Sequence, residues 1–248
     1  MEKYLSIGEV SRLLDIPEHT LRYWQDAGIF SVYQELNNYR KYTIADLLNI
    51  AEIAFYRKIG IPVREMEHFS HFSLEDYSKV LAGVGEQLER QIQSLESMQR
   101  AVELKQKHIG EIEFLKKVDF SMERVPFSSV TRFQYSDRDK LVRYTQNPSL
   151  YVRLIDTEYP DREVRGMIAD GLPCQGELIW KKTEDREYAA FLIEELPDEG
   201  YASNLLEKLI PIRSLGKTGI ILANFLMSEI QDGRKVDYLK GYAEIIRQ

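Results

Sequence analysis

The chain has 248 residues, of which 44% are hydrophobic and 29% charged, a composition typical of a soluble globular protein with one or two domains. Lys and Arg number 33 against 40 Asp and Glu, a formal net charge of −7, which excludes a global positive field that attracts nucleic acid or anionic lipid. The single cysteine, Cys174, excludes an internal disulfide framework and a cysteine-based zinc site.

The start of the chain and its longest apolar stretch bear on where the protein resides. Residues 1–5 lack the basic and apolar regions of a secretory signal. The apolar stretch Gly219–Met227 is far shorter than the roughly 20 residues that span a bilayer as a helix. Both observations predict a cytoplasmic protein without a membrane partner.

Residues 1–72 carry the pattern of two short helices joined by a tight turn. Ser6 and Glu9 form a capping box, which predicts the start of a helix. Pro17 ends that helix and suits the first position of a second one, which Gly28 ends in a left-handed conformation. Two helices joined in this way are typical of a helix-turn-helix, whose second helix enters the major groove of DNA.

The following segment predicts a wing and two further helices. Residues 29–42 contain few helix formers and include the pair Asn37–Asn38, which tolerates the positive φ of a hairpin turn. Thr43 then caps a helix rich in apolar residues, which the Gly60–Pro62 stretch ends. A short fourth helix over residues 63–69 completes this mostly α-helical domain.

Residues 73–118 have the composition of one long helix, rich in Gln, Glu, Lys and Leu and without proline. A helix over residues 77–112 is about 54 Å long, and one of its faces follows an apolar heptad pattern. The chain alone offers no cover for such a seam, so the pattern predicts a dimeric coiled coil. The alternative is an amphipathic strut that packs on the C-terminal domain. The predicted dimer contacts, at successive d positions, are Leu81, Leu88, Leu95, Val102 and Ile109.

Residues 119–248 predict a compact α+β domain. Short β-rich runs, separated by prolines, cover residues 128–135, 151–155, 176–180 and 188–193. One helix is predicted over Gly216–Gln231 and a closing strand over Lys235–Ile246. The whole chain is thus predicted to have a mixed fold, with a winged helix-turn-helix, a long dimerisation helix and an α+β domain.

Four short motifs in residues 1–72 resemble the winged helix-turn-helix of the MerR family, in order and at the family's spacings. The resemblance implies a head that binds promoter DNA and a long helix that forms an antiparallel dimeric coiled coil, in agreement with the heptad pattern. Trp24 departs from a usual tyrosine, and Asn37–Asn38 departs from a usual Asn-Gly. The motifs are Tyr4–Val10, Thr20–Trp24, Asn38–Tyr42 and Ile59–Pro62.

The candidate DNA contacts lie on the second helix, the wing and the end of the third helix. Arginine forks suit phosphates and base edges, and tyrosine hydroxyls suit phosphates. In the alternative interpretation, Arg22 pairs with Asp26, and Tyr39 and Tyr42 are core residues of the wing. The predicted DNA-binding residues are His19, Thr20, Arg22, Tyr23, Tyr39, Arg40, Tyr42, Arg57 and Lys58.

The C-terminal part resembles the GyrI-like effector domain of the family's multidrug-binding regulators, on the segments Gly176–Trp180, Tyr188–Tyr201 and Gly241–Ile246. The resemblance implies that a glutamate of the last strand, here Glu244, meets the cationic centre of an amphipathic ligand. Aromatic rings bind organic cations over flat areas. In the alternative interpretation, Glu244 faces water and the aromatic residues are plain core. The predicted effector-binding residues are Glu244, Tyr151, Trp180 and Tyr238.

The chain contains none of the common catalytic or nucleotide-binding motifs, and residues 119–248 contain no histidine. It is therefore predicted not to be an enzyme and to use no cofactor or metal. We expect a homodimeric, ligand-responsive activator that binds double-stranded promoter DNA and acts through that DNA on RNA polymerase. Its effector would be a small organic ligand, and its targets efflux or resistance genes. The alternative class is a ligand-sequestering or partner-binding protein in which DNA binding is secondary.

Overall fold

The structure, a computed structural model, describes residues 4–34, 40–67, 69–159, 162–170 and 176–246. The chain divides into two compact units, Met1–Glu96 and Ser97–Gln248. One helix, α5 (Leu74–Leu115), contributes residues to both units and is 42 residues long. In the described part of the chain, no helix is long and apolar enough to cross a membrane.

The first unit is a helical head with a small wing. Strands β1 and β2 pair in antiparallel fashion, with Tyr33 opposite Lys41. The order of the helices confirms the prediction for this segment, whereas the predicted turn at Asn37–Asn38 lies outside the described residues and the fourth helix ends at Met66 rather than at residue 69. The elements are α1 (Ile7–Leu14), α2 (Glu18–Asp26), β1 (Tyr33–Gln34), β2 (Arg40–Lys41), α3 (Ile44–Lys58), α4 (Val63–Met66) and a 3-10 turn (Phe69–His71).

Local hydrogen bonds set the ends of the helices in the head. The amide of Glu9 donates to Ser6 Oγ at 3.3 Å and the amide of Ser6 donates to the Glu9 carboxylate at 2.8 Å, so the predicted capping box is confirmed. Thr43 caps α3 in the same reciprocal way with Asp46. Asp15 ends α1 with a left-handed φ of 53°, and the turn it makes orients α2 against α1.

The second unit is dominated by a large antiparallel sheet. Its helices are α6 (Arg138–Gln146) and α7 (Leu205–Arg213), and its 3-10 turns are Pro148–Leu150 and Pro197–Glu199. Its strands are β3 (Ser121–Glu123), β4 (Ser129–Arg132), β5 (Tyr151–Asp156), β6 (Glu163–Ile168), β7 (Leu178–Lys181), β8 (Glu187–Leu196), β9 (Ala202–Ser203), β10 (Lys217–Gln231) and β11 (Arg234–Ile246).

The described strands follow the order β3-β8-β11-β10-β5-β6-β4-β7, and β9 pairs with β8. Each strand is antiparallel to its neighbours, and Leu239 of β11 lies opposite Ile193 of β8. The hairpin between β10 and β11 turns through Asp232 and Gly233, whose φ values are 50° and 80°. Positive φ at both central residues matches the right-handed twist of the strands, and glycine adopts it without strain.

The predicted helix over Gly216–Gln231 is wrong, because the segment forms strand β10. Ile221 and Leu222 are both fully buried although they point to opposite faces. A strand buried on both faces reads as a continuous apolar run, which periodicity cannot separate from a buried helix. The closing strand predicted over Lys235–Ile246 is confirmed by β11.

Helices α6 and α7 were absent from the sequence-based prediction. Helix α7 contains Pro211 in its interior, and a proline there favours a break between elements when only the sequence is considered. Leu205, Leu209 and Ile212 of α7 are buried in one core cluster with side chains of β8, β10 and β11. Tertiary burial on the sheet therefore outweighs the proline's effect on the helix.

Truncation of Leu209 should destabilise the protein because this side chain of α7 is fully buried against the sheet. We expect Leu209→Ala to lower the free energy of unfolding by about 3 kcal/mol, measured by urea denaturation. The neighbouring Ile210 is 69% exposed, and Ile210→Ala should change it by less than ~1 kcal/mol. Equal effects of the two substitutions would contradict the packing of α7 described here.

Candidate DNA-binding face and ligand cavity

Helix α2 presents one face to the core of the head and the opposite face to solvent. Leu21 and Trp24 are buried on the inner face. The outer face therefore carries polar and aromatic side chains three and four residues apart, as a major-groove helix requires. Of the predicted contact residues, His19, Arg22 and Tyr23 are exposed and Thr20 is half-buried.

Two predicted arginines of the head lie beside carboxylates of α2. Arg22 pairs with Glu18 at 2.9 Å, so the alternative partner proposed from the sequence, Asp26, is wrong. Arg40 of the wing approaches Asp26 at 3.9 Å and thereby links the wing to α2. Ion pairs with exposed carboxylates such as those of Glu18 and Asp26 contribute only about 0.2–1 kcal/mol each.

Tyr42 is fully buried in the core of the head, in the same cluster as Val10 and Leu21. Its backbone pairs with that of Leu5, with N–O distances of 2.8 and 3.0 Å, and burial raises the pKa of its hydroxyl. The predicted DNA contact by Tyr42 is therefore wrong, and its alternative role as a core residue is correct. Tyr39 lies outside the described residues.

The end of α3 carries the remaining predicted cations. Arg57 and Lys58 are both exposed in the last turn, and the Arg57 guanidinium donates to the carbonyl of Ile61 in the following loop. Lys41 was not proposed from the sequence, although it follows Arg40 directly. Lys41 lies on the same strand as Arg40. Its ammonium lies 5.1 Å from the ring centre of Tyr4.

The predicted dimer contacts lie along α5 with large apolar side chains open to solvent. A row of large exposed apolar side chains on one helix face is typical of a surface that contacts another protein chain. Their exposed fractions are 41% for Leu81, 46% for Leu88, 64% for Leu95, 57% for Val102 and 45% for Ile109.

A cavity of about 950 Å³ lies in the second unit, on the face of the sheet that α7 covers. Its size falls within the range of pockets for small organic molecules. Alternate residues of β5, namely Tyr151, Arg153 and Ile155, point into it. The other aromatic and aliphatic lining residues are Phe133, Tyr135, Leu141, Tyr144, Ile193, Tyr201, Leu205, Leu206, Phe225 and Leu239.

The deepest charges of the cavity are Arg153 and Glu195, both buried. Arg153 donates to Glu195 at 2.9 Å and to Glu163 at 3.1 Å, and no described acceptor reaches its Nε. Burial raises the pKa of Glu195, and the adjacent guanidinium opposes part of that rise. Neither residue was predicted from the sequence, although a charge in the middle of an apolar strand is a signal for such a site.

Of the predicted effector-binding residues, Tyr151 lines the cavity, but Glu244 and Tyr238 do not. Strand β11 points Leu239 into the cavity, and residues at odd separations from Leu239 point to the opposite face. There Glu244 pairs with Arg186 at 2.8 Å. Glu244 and Tyr238 therefore lie outside this cavity, and because Glu244 is buried, the alternative that it simply faces water is wrong.

Trp180 is also placed away from the cavity. Its ring packs edge-on against Phe127 with 5.5 Å between ring centres, in a core cluster that includes Tyr188 and Tyr242. The alternative interpretation of Trp180 as plain core is therefore correct.

The face of the sheet opposite the cavity binds the last part of α5 through polar contacts. Lys105 donates to the carbonyl of Leu226 at 2.7 Å and to Ser149 Oγ at 3.3 Å. The Nδ1 atom of His108, which is buried, lies 3.5 Å from the same hydroxyl. Burial, helped by the neighbouring Lys105 charge, lowers the pKa of His108.

Two cations of the same face reinforce this contact. Lys116 of α5 donates to the Tyr238 hydroxyl at 2.7 Å. Lys240 of β11 is buried and lies 2.7 Å from Glu123 and 3.7 Å from Glu111 of α5. The strand that lines the cavity on one side thus holds α5 on the other.

Within the described ranges, no group of three His, Cys, Asp or Glu side chains is arranged to hold a metal ion.

Comparison with known proteins assigns the head to a known type of domain. The family described as MerR HTH family regulatory protein matches residues 5–70. This segment is a MerR-type helix-turn-helix, a DNA-binding fold of transcription regulators. The match agrees with the four motifs and with the helix order of the head.

Individual relatives share part of the chain. The Multidrug-efflux transporter 1 regulator of Bacillus subtilis (strain 168) is 27% identical over 110 residues, which are 44% of this chain and 40% of that protein's length. The HTH-type transcriptional regulator HmrR of Rhizobium leguminosarum bv. viciae is 26% identical over 40% of this chain and 81% of its own. One similar solved structure is HiNmlR, described as a MerR family regulator lacking the sensor domain, bound to promoter DNA. Its TM-score is 0.36 and its sequence identity 16%. The match covers 46% of this chain and 96% of that chain.

The lowered pKa of His108 predicts a pH-dependent stability. The unfolded state binds a proton at the ordinary pKa of about 6.5, and the folded state binds it less readily, so stability falls as the pH drops through that value. We expect the wild type to lose stability relative to His108→Gln between about pH 8 and pH 5.5, measured by urea unfolding. The difference at the higher pH measures the packing lost by the substitution. Parallel pH profiles for the two proteins would show that His108 is not buried as a neutral group.

Proposed function

We propose that this protein is a homodimeric transcription regulator that binds promoter DNA through two heads and responds to a small aromatic effector in the cavity of its second unit. The observation that carries the proposal is the pairing of a MerR-type head, whose α2 exposes His19, Arg22 and Tyr23, with an aromatic cavity built on the sheet that holds α5.

The chemistry of the α2 face supports DNA binding. Arg22 is exposed on the helix proposed to enter the groove, and Arg40 is half-buried on the wing beside it. Both are held by exposed carboxylates that a phosphate displaces at small cost. Arg57 and Lys58 extend the positive groups to the end of α3. The carboxylates of Glu18 and Asp26 repel DNA phosphates as long as they stay paired with the arginines. This repulsion keeps the affinity for non-specific DNA low.

The apolar seam of α5 supports a dimer. The five seam side chains between Leu81 and Ile109 are each more than 40% exposed. A partner helix with the same repeat would cover them. A second copy of the chain supplies that repeat, and dimeric DNA readers recognise two half-sites related by the same symmetry.

The shared strands support a response to ligand. Phe225 and Leu239 line the cavity, while the neighbouring Leu226 carbonyl and Lys240 hold α5 on the other face. An effector changes the equilibrium between two dimer geometries only by the difference in its affinity for them. In the activating geometry the bound promoter is bent and untwisted so that RNA polymerase engages both promoter elements. Since one relative is named for the regulation of a multidrug-efflux transporter, we propose efflux or resistance genes as the targets.

Loss of the Arg22 side chain should weaken promoter binding. We expect Arg22→Ala to raise the Kd for a duplex that the wild type selects from a random pool by about 10- to 100-fold, and to reduce the salt dependence. Arg234→Ala, in the exposed β10–β11 hairpin, is the matched control and should bind as the wild type does. Unchanged affinity of Arg22→Ala would contradict the role of α2 and favour a ligand-sequestering protein. Fluorescence anisotropy measures both variants at several salt concentrations.

Charges in the seam of α5 should separate the dimer. We expect Leu88→Asp combined with Leu95→Asp to be monomeric by sedimentation equilibrium, because two buried, like charges per helix destabilise a coiled coil. Gln93→Asp, exposed on the same helix outside the seam, should remain dimeric. A dimer that survives the double substitution would show that the contact lies elsewhere.

A further inference from the structure

The carboxylate expected to select a cationic ligand, Glu244, lies outside the cavity, so the charge of the ligand must be inferred from the groups that line it. Arg165, Glu163, Arg153 and Glu195 form a row in which each charge lies next to one of opposite sign. The successive distances are 3.3, 3.1 and 2.9 Å. The row therefore carries no net charge.

The remaining charged groups of the cavity also balance. Lys235 lies 3.4 Å from Asp237, and the Asp237 carboxylate accepts a hydrogen bond from Ser228. Among the described residues that line the cavity, three cations thus face three carboxylates. A ligand that enters meets no excess of either sign.

Burial makes this balance decisive for the deepest part of the row. Glu195 and Arg153 are 6% and 8% exposed, and each already has its counter-charge at hydrogen-bonding distance. A ligand cation placed beside Glu195 gains little, because Arg153 holds that carboxylate and repels the newcomer. The cation also loses its hydration, which is costly when no free counter-charge replaces it.

The aromatic walls do not reverse this conclusion. The guanidinium of Arg165 lies 5.5 Å from the ring centre of Tyr135 and donates to the Tyr135 hydroxyl, so the chain's own cation already engages this residue. The rings of Phe133 and Tyr144 stand edge-on to Tyr151, with 5.9 and 6.2 Å between centres. They offer flat apolar contact to an aromatic ligand.

We propose that the cavity binds an aromatic compound of zero net charge, whose polar groups meet the balanced row, and that it discriminates against a permanent organic cation. This inference rests on the proposed function, in which the cavity is the effector site.

A matched pair of dyes tests the inference on the full-length protein. The free acid of a rhodamine is a zwitterion near neutral pH, whereas its ethyl ester is a permanent cation with nearly the same shape. We expect the zwitterion to bind at least about tenfold more tightly by fluorescence anisotropy, since the ester's charge finds no free partner. Equal binding, or tighter binding of the ester, overturns the inference.

Two substitutions show whether the balance of charge sets the preference. Arg165→Gln, at the exposed end of the row, leaves one carboxylate uncompensated and should reduce the preference for the zwitterion or reverse it. Arg153→Gln should do so more strongly, and Arg165→Gln keeps the test valid if that buried change prevents folding. Arg186→Gln, which removes the partner of Glu244 on the opposite face, should leave the preference unchanged. A preference that Arg165→Gln leaves intact counts against the inference.

A third substitution separates this inference from the proposed function. Tyr144→Ala removes a ring from the cavity wall and should weaken both dyes together. If neither dye binds, or if Tyr144→Ala affects neither, the effector site itself is wrong. If both dyes bind in the cavity but the ester binds more tightly, the effector site stands and only the inference about charge fails.

Discussion

The second unit depends on the alternation of side chains along strands that are buried on both faces. Along β11, Leu239 points to the cavity, whereas Tyr238 and Lys240 point to α5. A pleated strand cannot turn one side chain without moving the next. A displacement of the cavity wall therefore also moves the strand that contacts α5. The cavity and the α5 contact are the two faces of the same strand, so no separate linker is needed between them.

Buried charges in this sheet are held in pairs and rows rather than left single. Lys240 lies between Glu123 and Glu111, and Arg153 lies between Glu163 and Glu195. A buried ion that loses its partner is strongly destabilising, so each such group restricts the arrangement of the elements around it. The first set binds α5 to the sheet. The second gives the cavity charged groups without giving it a net charge.

The head follows a different principle, because its candidate contacts are placed by local signals. A capping box begins α1, a left-handed Asp15 ends it, and burial of Leu21 and Trp24 orients α2. The candidate cations then project from a rigid scaffold, and exposed carboxylates nearby hold them in place. A chain with a negative net charge can bind DNA in this way. The few cations at the contact attract phosphates at short range, whereas salt screens the repulsion from the more distant negative charges.

The sequence by itself was sufficient for the features that depend on neighbours along the chain. The caps at Ser6 and Thr43, the helix order of the head, the long helix and the last strand all rest on residues a few positions apart. Lys105 of the long helix shows where this reasoning stops, because its ammonium donates to the carbonyl of Leu226, 121 residues away.

Only the tertiary structure decided which residues form the cavity. Arg153 and Glu195 are 42 positions apart and meet through the order of the strands, which no local pattern encodes. Glu244 lies outside the cavity because a shift of one residue along a strand moves a side chain to the other face of the sheet. Patterns in sequence specify the elements, but the pairing of distant strands specifies which of their faces enclose a site.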